Sequence, residues 1–348
     1  MKFMKQNIPG ILVAAILAYI SIMLSGLVPQ NLIGGGVFAL LIGMLLNPFI
    51  SKYIGLQGGL TFTSKKILRL AIILMGLGLN FTQVVEVGKY SIIVMVFTLI
   101  TAFGGGYIIG KLFDMRWQLS SLISAGTGIC GGSAVAALAP VIDAQDSDVA
   151  YAISATFIFD IVMVILFPIA GRYFNMSDLG YGLWTGTAVN DISSVVAAGY
   201  AFSDVAGKFS VVVKLTRTLS IIPVVLMFSY INQRLKKRAS TNIYDEESNE
   251  VTRGNDGPLN ITKIFPWFII LFLLMVVIKS IGFVPHGLSN SLSNISKFFM
   301  VMSLGAIGLR TNFTKLSKSG FKPMVHGFII SALVVIVSFL VQMSLGQI

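Results

Sequence analysis

Apolar runs long enough to cross a bilayer, separated by short polar breaks, fill most of the chain. A spanning helix needs about 20 apolar residues. On that rule the pattern predicts about eleven segments. They lie near 9–28, 33–50, 64–81, 90–112, 119–142, 149–171, 180–201, 206–231, 264–282, 293–311 and 322–345. Pro140, Pro168 and Pro223 fall inside such runs and are expected to shape kinks. The first run follows Lys2 and Lys5, exceeds a signal-peptide core and lacks a small-x-small cleavage site, so it reads as a membrane helix.

Two of the segments are too polar and too rich in glycine for their surroundings. One is Gly126-Thr127-Gly128-Ile129-Cys130-Gly131-Gly132-Ser133-Ala134-Val135, the other Gly186-Thr187-Ala188-Val189-Asn190-Asp191-Ile192-Ser193-Ser194-Val195. Aligned without a gap, they share Gly, Thr, Ser and Val at the first, second, eighth and tenth places. Lipid-spanning helices tolerate such sequences where the backbone is interrupted to line a cavity. A second echo links Met75–Phe81 with Leu304–Phe313, each closing an apolar run. The two would run in opposite directions, the pattern of an inverted-topology repeat. The Gly126 and Gly186 segments would run parallel if both spanned. Either one is a re-entrant hairpin, or their similarity reflects shared chemistry.

Composition agrees with a polytopic membrane protein: 55% of residues are hydrophobic and 11% charged, against roughly 25% charged in soluble domains. The net charge of +11 would suggest nucleic acid in a soluble chain. Here the basic residues sit in short loops, so no nucleic-acid partner is expected. With the N-terminus inside, alternate loops carry Lys52, Lys65, Lys66 and Arg69; Lys111 and Arg116; Arg172; Arg234, Lys236, Lys237 and Arg238; and Arg310, Lys315, Lys318 and Lys322. The loop Asp143–Asp148 is acidic and falls on the other side. The positive-inside rule then predicts a cytoplasmic N-terminus and an external C-terminus. The chain divides into N-terminal helices (1–63), a core (64–231) holding segments 119–142 and 180–201, a cytoplasmic linker (232–263) and C-terminal helices (264–348). The linker mixes basic, acidic, Ser and Asn residues, as a solvated loop does.

The polar segments carry the candidate chemistry. Gly126, Gly128, Gly131, Gly132 and Gly186 permit unwinding and close approach of a ligand to backbone N–H groups, or alternatively close helix packing. Thr127, Ser133, Thr187, Ser193 and Ser194 add hydroxyl donors, and the dipole of a broken helix favours an anion. Asp191 is a candidate for carrying a proton or Na⁺, with Asn190 as an amide ligand; it also suits an N-cap beginning near Ile192. Lys214 and Arg217, three apart, share a helix face, and either draw an anion or pair with Asp191 or Asp160. Asp160 is a second intramembrane acid, suited to pairing or to a proton relay. Cys130 is the only cysteine and reads as small filler; His286 and His326 are isolated, so no metal site is expected. No P-loop occurs, so gradients must supply the energy, and no cofactor is called for. No His-Glu-x-x-His or Gly-x-Ser-x-Gly frame supports an intramembrane enzyme. A channel is the other alternative.

The stretches 130–142 (Cys-Gly-Gly-Ser-Ala-Val-Ala-Ala-Leu-Ala-Pro-Val-Ile), 186–199 and 212–219 (Val-Val-Lys-Leu-Thr-Arg-Thr-Leu) resemble the YeiH-type bacterial membrane proteins, a family labelled as sulfate exporters. More distantly, the Gly76-Leu77-Gly78-Leu79 helix and the Gly-Gly-Ser segment are similar to the bile-acid symporter and cation–proton antiporter superfamily. That resemblance implies an all-α inverted-repeat transporter of the bacterial plasma membrane. It would have a panel and a core domain, two crossing discontinuous helices, elevator-like motion and often a homodimer. Asn190 and Asp191 fall where the antiporters carry coupling acids, whereas the Gly131-Gly132 segment offers no acid of its own. The expectation is a proton- or Na⁺-driven exporter of a small anion such as sulfate or a sulfonate. Cation–proton exchange and organic-anion symport are the alternatives within the same superfamily.

Overall fold

A computed structural model of the protein describes residues 2–27, 34–241, 266–311 and 320–347. Residues 242–263 of the expected linker, the loop lysines Lys315 and Lys318, and the Asn312–Phe313 end of the second echo lie outside the described residues. The described residues are helical, without strands. A backbone with no water to bond must satisfy itself within the helix. The helices are α1 (Lys2–Leu27), α2 (Gly35–Ile50), α3 (54–78), α4 (Phe81–Leu112), α5 (117–141), α6 (Asp146–Tyr173), α7 (178–202), α8 (Asp204–Leu235, continuing to 241), α9 (Phe268–Ser280), α10 (His286–Arg310) and α11 (Phe321–Ser344). Among the described residues six helices are long and apolar enough to cross a membrane: α1, α4, α6, α8, α10 and α11. The division expected at 63/64 falls inside α3, where a π turn at Thr63–Ile67 continues the helix.

Two bundles result. In the first, α1, α2, α3, α9 and α10 pack at short range because glycines remove side chains from the contacts. A Cβ on Gly59 would lie 2.0 Å from the Asn7 carbonyl oxygen, and one on Gly308 would lie 2.2 Å from that of Leu40. Buried Asn47 donates to the Leu309 carbonyl at 2.7 Å. Hydroxyls of α10 reach carbonyls of α3: Ser289 to Leu77 (2.5 Å), Ser296 to Ala71 (2.7 Å) and Ser303 to Thr63 (3.2 Å). As one number rises the other falls, so α3 and α10 run antiparallel. The second bundle holds α4–α8 and α11. The two bundles meet mainly where the later half of α7 packs on α2 and α10.

The chief correction to the sequence reading concerns α5 and α7, which do not pass through the bundle. Each is a helical hairpin. In α5, Trp117–Ala125 and a π turn at Gly126–Cys130 lead to Gly131, where φ is +67°, and Gly132–Leu138 returns. Arg116, just before it, pairs with Asp148, just after it, at 3.2 Å. In α7, Asp178–Ala188 leads to an extended Val189-Asn190 and Ile192–Phe202 returns. Ser203 donates to Asp178 at 2.5 Å, and the Tyr181 hydroxyl donates to the Ala198 carbonyl at 2.9 Å, so the two arms lie side by side. Arms of 7–14 residues are roughly 10–21 Å long, short of a hydrocarbon core of about 30 Å.

The hairpins enter from opposite ends. Along α11, His326 faces Ser120 and Ser331 faces Thr127, so the first arm of α5 runs with α11. Ser338 faces Thr187 and Ser331 faces Asn190, so the first arm of α7 runs against it. The expected parallel arrangement is therefore not what forms. The acidic loop 143–148 lies at the same end as Arg116, Asn232 and Lys322, while Arg172 lies at the opposite end with Asp178. Both placements reverse the loop assignment made from the sequence.

Candidate functional site

The tips of the two hairpins meet midway through the second bundle. A Cβ on Gly131 would lie 3.1 Å from both Cβ and Oδ1 of Asp191. Breaking a helix leaves C-terminal carbonyls and N-terminal N–H groups without partners. Here buried charges take those places, with the sign that the helix dipole favours. Arg217 on α8 donates through Nε to the Gly128 carbonyl (2.6 Å), through one terminal nitrogen to Thr127 (2.6 Å) and through the other to Thr187. Lys214, one turn earlier, donates to the Val189 carbonyl at 2.9 Å. Both cations therefore stand where first arms end.

Asp160 on α6 supplies the opposite charge where the second arm of α7 begins. Its carboxylate accepts the backbone N–H of Asn190 at 2.9 Å and of Asp191 at 2.8 Å. Asp191 caps that arm, its Oδ2 accepting the Ser193 N–H at 2.9 Å and the Ser193 hydroxyl. Lys214, Arg217 and Asp160 are all 0–1% exposed, yet each bonds to main chain and not to another of the three. The alternative of a side-chain ion pair among them does not form, because broken-helix ends already provide partial charges of the needed sign.

Around this centre α11 contributes a buried polar row that the sequence reading missed. The Ser331 hydroxyl lies 3.4 Å from that of Thr127 and accepts from Asn190 Nδ2 at 3.3 Å. The Ser338 hydroxyl lies 2.5 Å from that of Thr187. Gln342 and His326 continue the row, both fully buried. Serine spacings of seven along 331–338 were the available signal, weak because serine hardly lowers the hydropathy of a helix. Of Asn190, the side-chain oxygen is buried without a partner.

The remaining residues divide by role. Gly126 packs against Thr156, Gly128 against Ala102 and Gly186 against Ser210 and Val213 of α8, which is the close-packing use of glycine. Ser194 is buried in the first turn of the second α7 arm. Cys130 is buried, with its sulfur 2.9 Å from the Ser133 hydroxyl. What stays accessible at the tips is Ser133, which is exposed, and Gly132, Asp191 and Ile192, which are half-buried. Among the described residues no group of three or more His, Cys, Asp or Glu could hold a metal ion.

A family model described as conserved hypothetical protein 698 matches residues 9–327. A UPF0324 membrane protein of Clostridium tetani (strain Massachusetts / E88) is 71% identical over 348 residues, covering 100% of both chains. One from Streptococcus pneumoniae serotype 4 is 38% identical over 354 aligned residues, and one from Fusobacterium nucleatum subsp. nucleatum 36% over 363, each covering 99% of both chains. The matches to these relatives run from end to end, whereas the family model stops at residue 327, early in α11. The chain belongs to the UPF0324 family of membrane proteins, the family described as conserved hypothetical protein 698.

Proposed function

We propose that the protein is a secondary transporter that moves a small anion across the bacterial plasma membrane, driven by a proton or Na⁺ gradient. One observation carries this reading: two re-entrant hairpins enter from opposite ends and meet at Gly131 and Asp191. Irregular backbone at membrane depth survives where protein buries it or a cavity lies beside it, and substrate sites of transporters are built there. A ligand at the tips would meet the Ser133 hydroxyl and the Asp191 carboxylate, with Lys214 and Arg217 setting a positive background. Asp191 is the half-buried acid at this point and is assigned the coupling ion. Asp160, Lys214 and Arg217 are assigned to holding the tips in place. Gradient-driven transport is the reading that the paired tips support, since substrate sites of transporters are built on such broken helices.

In this reading α1–α4, α6 and α8–α11 cross the bilayer, and the basic end, with Lys52, Lys111, Arg116, Arg234 and Arg310, faces the cytoplasm. The first bundle is the scaffold and the second, holding the hairpins, is the part that moves. Export of sulfate or a sulfonate is the direction and substrate class that the YeiH-type resemblance implies. The test is uptake or efflux of labelled anions in proteoliposomes under imposed proton and Na⁺ gradients. Asp191→Asn is expected to abolish gradient-driven flux while leaving exchange at equilibrium. Gradient-driven flux at the wild-type rate in that variant would overturn the coupling assignment.

A further inference from the structure

A cavity of about 290 Å³ lies away from the hairpin tips, between the two bundles. Its walls come from the end of α1, the start of α2, the returning arm of α7, the start of α8 and the middle of α10. Most of the lining is apolar: Ile22, Val196, Met300 and Leu304 are examples. The charged residues on it are Lys297 of α10 and Asp204 of α8, paired at 2.5 Å across the two bundles. Asn294, one turn before Lys297, and Ser25 add polar groups to the same space. The cavity is at the low end of the range of about 300–1,000 Å³ that holds small molecules.

We propose that this cavity binds a small organic anion, a short-chain sulfonate or carboxylate, with its charged head at Lys297 and its carbon chain on the apolar wall. The inference rests on the transporter reading and adds to it a second anion site, apart from the hairpin tips. Inorganic sulfate has no apolar surface to place against Ile22, Val196 and Leu304, and would leave that wall wet. An organic anion buries the wall and brings one charge to a donor that is already held in position. Its head group competes with Asp204 for Lys297. Binding therefore loosens the ion pair that ties α8 of the moving bundle to α10 of the scaffold, and the occupied cavity favours motion between them. An anionic lipid offers the same chemistry, a charged head on an apolar chain, and the experiment separates the two.

The full-length protein is purified in detergent and its thermal unfolding followed with sodium sulfate, ethanesulfonate, butanesulfonate and hexanesulfonate at matched ionic strength. The expected result is a rise in Tm with the sulfonates that grows with chain length and is absent with sulfate. Ser25→Trp, which narrows the half-buried mouth, and Lys297→Gln should each weaken the apparent affinity on the order of tenfold or more while leaving ligand-free Tm close to wild type. Equal shifts with sulfate and sulfonates, or unchanged affinity in both variants, would overturn the proposal. So would stabilisation by phosphatidylglycerol nanodiscs with none by sulfonates, which would mark a lipid site. Sulfonate binding without flux of any anion would instead sink the transporter reading and leave the cavity assignment standing.

Discussion

Gly131 and Asp191 face each other across the two hairpin tips, close enough that a single added methyl group would lie 3.1 Å from the aspartate side chain. Gly131 also holds φ +67° and ψ −137°, a conformation essentially reserved for glycine. Gly131→Ala is therefore expected to cost about 1–3 kcal/mol in backbone strain and to push Asp191 out of its cap. Unfolding temperature and anion flux should both fall. A variant with wild-type values of both would show that the tips are not in contact in the functional protein.

Arg217 holds three carbonyls from two hairpins, so its removal exposes buried acceptors on both at once. Each buried group left without a partner costs about 1–3 kcal/mol. Arg217→Ala should give little folded protein, read as the monodisperse fraction in size-exclusion chromatography. Arg217→Lys keeps the charge but not the planar fork, and should rescue only part of that yield. Full rescue by lysine would mean that charge alone matters.

Asp160 is fully buried and accepts two backbone N–H groups. Asp160→Ala should destabilise by roughly 2–6 kcal/mol, the sum for two orphaned donors. Asp160→Asn keeps one acceptor oxygen and should lose less. Thermal unfolding of the pair in detergent ranks them. If the alanine variant matches the asparagine variant, the N–H bonds are not what Asp160 contributes.

The first turn of α2 touches the returning arm of α7: a Cβ on Gly34 would lie 3.4 Å from that of Ala201. Cβ atoms about 3.5–4.5 Å apart suit a disulfide. With Cys130→Ala removing the native thiol, Gly34→Cys combined with Ala201→Cys should cross-link under oxidant and tie the two bundles together. Flux should stop on oxidation and return on reduction. Unimpaired flux in the fully cross-linked protein would rule out motion between these bundles.

Among the described residues each of the eleven apolar stretches is mostly helix, because hydropathy directly reports the demand that bilayer-spanning backbone satisfy itself. Hydropathy counts length and is blind to direction, so 119–142 and 180–201 looked like crossings. What turns them back are pairwise contacts, Tyr181 with Ala198, Ser203 with Asp178 and Arg116 with Asp148, that no periodicity encodes. Two hairpins also remove an even number of crossings, so the loop charges beyond them fall at the ends they would occupy anyway. Only Arg172 and the acidic loop between the hairpins change ends. The tip residues were legible as glycines and acids out of place. Lys214, Arg217 and Asp160 were legible as charges out of place, but not what they bond to, since the two cations bond to carbonyls, which every residue has.

Among the described residues three helices carry a π turn: Thr63–Ile67 in α3, Thr101–Gly105 in α4 and Gly126–Cys130 in α5. A π turn holds one residue more than the α-helical turn it replaces. Deleting one residue there would restore regular helix and leave what lies beyond it in register, whereas a further residue that no such turn absorbs would rotate everything beyond it by about 100°. In α4 the residues beyond it are Gly106 and Gly110, which lie against Ser124, Ser120 and His326. The fit of α4 to the polar row of α11 thus depends on the count of residues between Ile100 and Gly106. A one-residue insertion in that interval, beyond the residue the π turn already absorbs and with composition and hydropathy nearly unchanged, would turn bulky side chains toward His326 and part the two helices.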